Sequence, residues 1–75
     1  MPEILTYKGF SIEPHPRPLT AGGFGLDVII REDQRSSIIE HRLPIRPEFR
    51  SVIEAMEYGF EAGKHAIDSG LRSAR

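Results

Sequence analysis

Cysteine and tryptophan are absent from this 75-residue chain, and ten basic against eleven acidic residues leave a formal net charge of only −1. Without cysteine there is no disulfide staple, no thiolate ligand for a metal and no thiol nucleophile. The near balance of charge gives no field strong enough to draw the chain onto nucleic acid or anionic lipid regardless of sequence. Long apolar runs are missing too. The longest is Val28-Ile29-Ile30, far short of the roughly 20 residues of a membrane-spanning helix. Met1-Pro2-Glu3-Ile4 has neither the basic start nor the apolar stretch of a secretion signal. These absences lead us to expect a cytoplasmic protein that makes no membrane contact and forms one domain over residues 1–75. A chain this short buries only about 60–65% of the surface its unfolded form exposes, so packing carries the whole fold and a partner subunit would help it.

Strand signals come first. Leu5-Thr6-Tyr7 and Phe10-Ser11-Ile12 are β-prone runs separated by Lys8-Gly9, which reads either as a two-residue hairpin turn or as a bulge within one strand. From Phe24 to Arg31, apolar Phe24, Leu26, Val28 and Ile30 alternate with mostly polar neighbours, the pattern of a half-buried antiparallel strand. After a turn over residues 32–36, Ser37 to Leu43 reads as the next strand, with Ile39, His41 and Leu43 on one face, and Pro44 is expected to end it.

Pro47 suits a first helical position. Phe49, Val52, Ile53, Met56, Phe60, Gly63, Ile67 and Leu71 then recur at three- and four-residue steps, while Arg50, Glu54, Glu57, Glu61, Lys64, Asp68 and Arg72 share the opposite side. The i,i+4 pairs Arg50/Glu54, Lys64/Asp68 and Asp68/Arg72 suggest a solvated face. The expected fold is therefore α+β: a three-stranded antiparallel sheet, four-stranded if the N-terminal hairpin forms, packed on one C-terminal helix (βββα). The sheet face away from the helix would carry Ser11, Glu13, Asp27, Arg31, Glu40 and Arg42, charges of both signs able to pair across strands.

Glu13 to Gly25, EPHPRPLTAGGFG, is the conspicuous stretch. Its prolines fall on alternate residues and make no P-x-x-P ligand, so we read a stiff link between Ile12 and Phe24. Gly22-Gly23-Phe24-Gly25 precedes a strand, whereas a phosphate-binding glycine loop must open a helix, so these glycines read as a turn. His15, His41 and His65 fall on a loop, a strand and a helix with no metal-ligand spacing. Alternation points His41 at the core, where a hydrogen-bonded imidazole is expected. The serines lack a nucleophile-elbow context and the carboxylates cluster on the solvated helix face, so no catalytic residue, cofactor or metal ligand is assigned.

Glycine inside the helix needs a reason. Gly59 and Gly63 each cost about 1 kcal/mol relative to alanine, and with Ala55, Ala62 and Ala66 they flank the apolar stripe beside Tyr58. Two readings stand: close approach of the helix to its own sheet, or a surface on which a second helix packs, with Ala55, Tyr58, Gly59, Ala62, Gly63 and Ala66 as the contact residues. The alternative partner is nucleic acid, held by Arg31, Arg35 and Arg42, although interleaved carboxylates argue against it.

Tyr7-Lys8-Gly9-Phe10-Ser11-Ile12, and then Glu54-Ala55, Gly59, Gly63-Lys64 and Ile67-Asp68, resemble a family of short uncharacterised bacterial proteins with the patterns Y-[KR]-G-[FY]-x-I and E-A-x-x-x-G-x-x-x-G-K-x-x-I-D. That resemblance implies a sheet covered by one helix and brings no activity with it. The chain departs from what we expect at Ile45-Arg46-Pro47, where no Ser, Thr or Asp caps the helix. A looser similarity, in topology, is to small βββα antitoxin domains, which usually carry a DNA-binding segment that this chain lacks. The function expected is a non-enzymatic protein-interaction module, a homo-oligomer or the partner of another protein, using the sheet edge or the small-residue side of the helix.

Overall fold

A computed structural model describes residues 3–34 and 37–71. Strands β1 (Leu5–Tyr7), β2 (Phe10–Pro18), β3 (Phe24–Gln34) and β4 (Ser37–Phe49) form one antiparallel sheet in sequence order, and helix α1 (Val52–Asp68) packs on one of its faces. The α+β architecture is the one expected, in its four-stranded version. The first hairpin forms because Lys8 and Gly9 both adopt positive φ (51° and 85°), the turn whose twist matches its strands, and Tyr7 faces Phe10 across it.

Alternation along β2, β3 and β4 sends Ile12, Leu26, Val28 and Ile30 to the helix side, where all four are fully buried together with Ala55. Each such aliphatic side chain contributes about 1.5–3 kcal/mol on burial, so this quartet is the main source of apolar stabilisation. On the other face, Ile29 is only 6% exposed, between its cross-strand neighbours Glu13 and Arg42.

Two expectations about proline are corrected. Pro14-His15-Pro16-Arg17-Pro18 is the second half of β2, with Pro14 opposite Val28, Pro16 opposite Leu26 and Pro18 opposite Phe24. The two-residue turn makes Tyr7 and Phe10 a mutually hydrogen-bonded pair, so even-numbered residues of β2 direct their backbone groups towards β1 and away from β3. β1 ends opposite Ile12, so the missing N–H groups of all three prolines face an open edge and the ladder to β3 loses nothing. Pro44 likewise does not end β4, which continues to Phe49 through an irregularity where residues 46–48 stand opposite Gly25 alone.

The helix start is corrected as well. Ser51 is the N-cap, its Oγ accepting the Glu54 N–H at 3.1 Å, while Glu54 Oε1 accepts the Arg50 N–H at 3.2 Å. This is close to a capping box, and it leaves Pro47 and Phe49 in β4.

Candidate interaction surface

The small residues of α1 face the protein's own sheet. Ala55, Gly59 and Gly63 are buried, and a Cβ at Gly59 would lie 2.7 Å from Pro14 Cβ, one at Gly63 only 2.6 Å from Ile12 Cγ2. The glycines allow the helix to sit directly on β2, so these three residues are unavailable to a partner helix and the surface expected there is corrected. Ala62 and Ala66 are half-buried. Tyr58 is 45% exposed and packs against Phe49 with ring centroids 5.2 Å apart, tying the end of β4 to the helix.

An apolar surface lies instead on the other flank of α1. β1 pairs only with Phe10, Ser11 and Ile12 of β2, so among the described residues the outer flank of the helix's N-terminal half meets the proline-lined edge of β2 with no further strand alongside. Val52, Ile53, Met56 and Phe60 form one wall of an open groove of about 630 Å³, Pro14 and Pro16 the other, with Glu3, His15 and Glu57 at its rim. Ile53 is 70% exposed and Val52 45%. Both were expected in the core because they fit the apolar stripe. The groove was missed because a helical wheel does not show how wide the sheet beneath the helix is.

Charges on the open sheet face pair as expected. Arg31 Nη1 donates to Glu13 Oε1 at 2.8 Å and Arg31 Nη2 lies 3.0 Å from Glu40 Oε2. Asp27 receives Arg17 at 3.2 Å and Arg42 at 3.5 Å. The Glu13 hydrogen bond, opposed by desolvation and assisted by Glu40, raises the affinity of the Arg31 guanidinium for its proton. Arg31 and Arg42, two of the three arginines considered for nucleic acid, thus already face carboxylates. Arg35 lies outside the described residues.

At the far end of the helix, Asp68 accepts from Tyr7 Oη at 2.9 Å and from Lys8 Nζ at 2.7 Å. The Lys8 bond first, and then the Tyr7 bond, hold the Asp68 carboxyl below the usual carboxylate range. This clasp replaces the expected Lys64/Asp68 pair. Lys64 instead reaches Glu61 at 3.4 Å and lies 5.9 Å from the Tyr7 ring centroid. Arg72, expected to pair with Asp68, is outside the described residues.

The histidines do not converge. His15 Nε2 is 3.5 Å from Glu13 and His41 Nε2 is 3.9 Å from Glu32. His41 points to the helix side as expected, but its Nε2 is buried and has no hydrogen-bond partner among the described residues, so the bonded imidazole is corrected. Among the described residues no group of three or more His, Asp or Glu side chains is placed to hold a metal ion, and no helix is long and apolar enough to cross a membrane.

No curated protein and no solved structure matches the chain. Its affinity is with a sequence family: residues 2–75 match the one described as domain of unknown function (DUF6566), and the chain belongs to that family.

Proposed function

We propose that this protein is a non-enzymatic protein-contact module, and that the groove between the N-terminal half of α1 and the proline edge of β2 is where a polypeptide docks. The observation that carries this reading is the contiguous apolar wall over Pro14 and Pro16, in which Val52 and Ile53 are exposed and Met56 and Phe60 half-buried. Single exposed apolar side chains are ordinary on protein surfaces, whereas a contiguous concave patch is the usual form of a recognition site. The prolines shape the mode of binding. With no N–H groups to offer on that edge, the groove does not accept an added strand, and recognition runs through side chains, as for an amphipathic helix laid in an apolar cleft. Glu3 and Glu57 at the rim favour basic residues flanking the apolar anchor.

The test is native mass spectrometry of the protein purified at low salt from its own cells, alongside Ile53→Glu. Added mass of a different polypeptide, beyond multiples of 8.5 kDa, on the parent and its loss from the variant, with unchanged melting, is the expected result. A partner retained by Ile53→Glu would remove the groove from the proposal. Bound nucleic acid that dissociates steeply with salt would replace it with the arginine face. The pairing of Arg31 and Arg42 with carboxylates weighs against that outcome.

A further inference from the structure

The opposite edge of the sheet, β4, has no partner among the described residues on its outer side. Gln34 faces Ser37 across a two-residue connection, so Ser37, Ile39, His41, Leu43 and Ile45 direct their backbone groups to β3 while Ile38, Glu40, Arg42 and Pro44 direct theirs outward. The register carried from the Tyr7/Phe10 turn through β2 and β3 gives the same parity. The outward residues are open to solvent: Ile38 is 63% exposed, and the side chains of Glu40 and Arg42 are 53% and 68% exposed.

We propose that β4 pairs antiparallel with β4 of a second copy of this chain, about a two-fold axis through His41. In that register Glu40 faces Arg42 of the second copy and Arg42 faces its Glu40, on the sheet face away from the helices. Ile39 faces Leu43 on the helix side, Ile38 faces Pro44, and His41 faces itself. Glu40 and Arg42 of the two copies exchange their outward N–H···O=C bonds, and each Ile38 N–H reaches a Pro44 carbonyl. Opposite charges and apolar pairs placed directly across strands are the stabilising arrangement. Shifting the register by two residues in one direction sets Glu40 against Glu40, and in the other sets Arg42 against Arg42. A one-residue slip turns outward groups against inward ones and breaks the ladder.

The side chains have capacity for this contact. Among the described residues, Glu40 binds Arg31 through Oε2 and has Oε1 unpartnered, and Arg42 has only the 3.5 Å contact to Asp27. Across the axis the charges run Arg31, Glu40, Arg42 and Asp27 without a like-charge neighbour. Alternating charges on an edge strand normally discourage pairing with other chains. Here they select a second copy in one register, and the contact is independent of the groove.

Sedimentation equilibrium over a concentration series tests the mass. The parent is expected to reach twice its 8.5 kDa, Arg42→Glu to remain monomeric while still melting cooperatively, and Ile53→Glu to dimerise like the parent. The absence of cysteine allows a test of register: His41→Cys should give a covalent dimer on oxidation, because residues on the axis of a non-hydrogen-bonded antiparallel pair approach closely enough for a disulfide. Ile38→Cys should not. A parent that stays monomeric to its solubility limit, a dimer that Arg42→Glu leaves intact, or cross-linking through Ile38→Cys would each overturn the proposal.

Discussion

Both open edges of this sheet carry proline, yet they offer different things to an approaching chain. Beyond Ile12, β2 has proline at 14, 16 and 18, each at a residue whose backbone turns outward, so that edge has no N–H to give and an apolar wall of helix above it. Over its regular part, Ser37 to Ile45, β4 has a single outward proline, Pro44, and keeps the donors of Ile38, Glu40 and Arg42. All four of these prolines turn outward, so what separates the edges is how many of the outward positions they fill. On one edge they leave only side-chain recognition, and on the other the backbone itself is available.

The comparison breaks most severely if the helix is lifted from β2. Gly63→Val forces a branched side chain into the 2.6 Å approach to buried Ile12 and is expected to cost about 3 kcal/mol or more, read as a lowered urea midpoint; an unchanged midpoint would mean that the helix does not need that seat. Restoring donors to the closed edge is the next step. Pro16→Thr with Pro18→Thr returns two outward N–H groups, each worth about 0.5–1.5 kcal/mol when paired, and is expected to create a second mode of association visible as species larger than the parent dimer. If sedimentation stays unchanged, the prolines are not what closes that edge.

Pro44→Val sharpens the contrast from the other side. It adds one donor at each end of the proposed β4 pairing, and at about 0.5–1.5 kcal/mol per bond the dimer should tighten by about fivefold to a hundredfold in a dilution series. Weakening would place Pro44 outside the contact.

The smallest effect concerns the clasp that holds β1 in place. Asp68 titrates below its ordinary range because of Lys8 and Tyr7, and Lys8 titrates above its own because of Asp68. The Asp68 contribution is therefore present above the ordinary carboxylate range and fades as pH falls through its depressed value. The Lys8 contribution is present below the ordinary lysine range and fades as pH rises through its elevated one. Lys8→Gln should melt slightly lower at neutral pH, and the gap from the parent should close in acid. A gap that persists at low pH would show that the clasp is not electrostatic.

Much of the fold was legible because period speaks directly: alternation from Phe24 to Ile30 and three- and four-residue steps from Val52 to Ile67 each admit one regular structure. Proline misled because it was weighed as a breaker without asking which way its nitrogen points. The alternate spacing of Pro14, Pro16 and Pro18 held that information. Ser51-x-x-Glu54 signalled the cap, and Pro47 drew attention from it. The groove was not legible. It depends on β1 ending at three residues while the helix runs on, a mismatch of lengths that no local pattern records. For the same reason, the spacing of Gly59 and Gly63 showed that something comes close without showing that it is Pro14 and Ile12.

The sheet is a simple meander, each strand beside its neighbour in sequence, and this bears on how the chain reaches its native state. Every strand pairing closes a short loop, so the sheet assembles from contacts of low sequence separation, the kind associated with fast folding. The long excursions are the return of α1 to β2 and the Tyr7–Asp68 bond, which joins residues 61 apart. Closing the helix over the sheet is then expected to be the late step. Changes at Gly63 or Asp68 should show mainly in the unfolding rate, and those in the two hairpins in the folding rate.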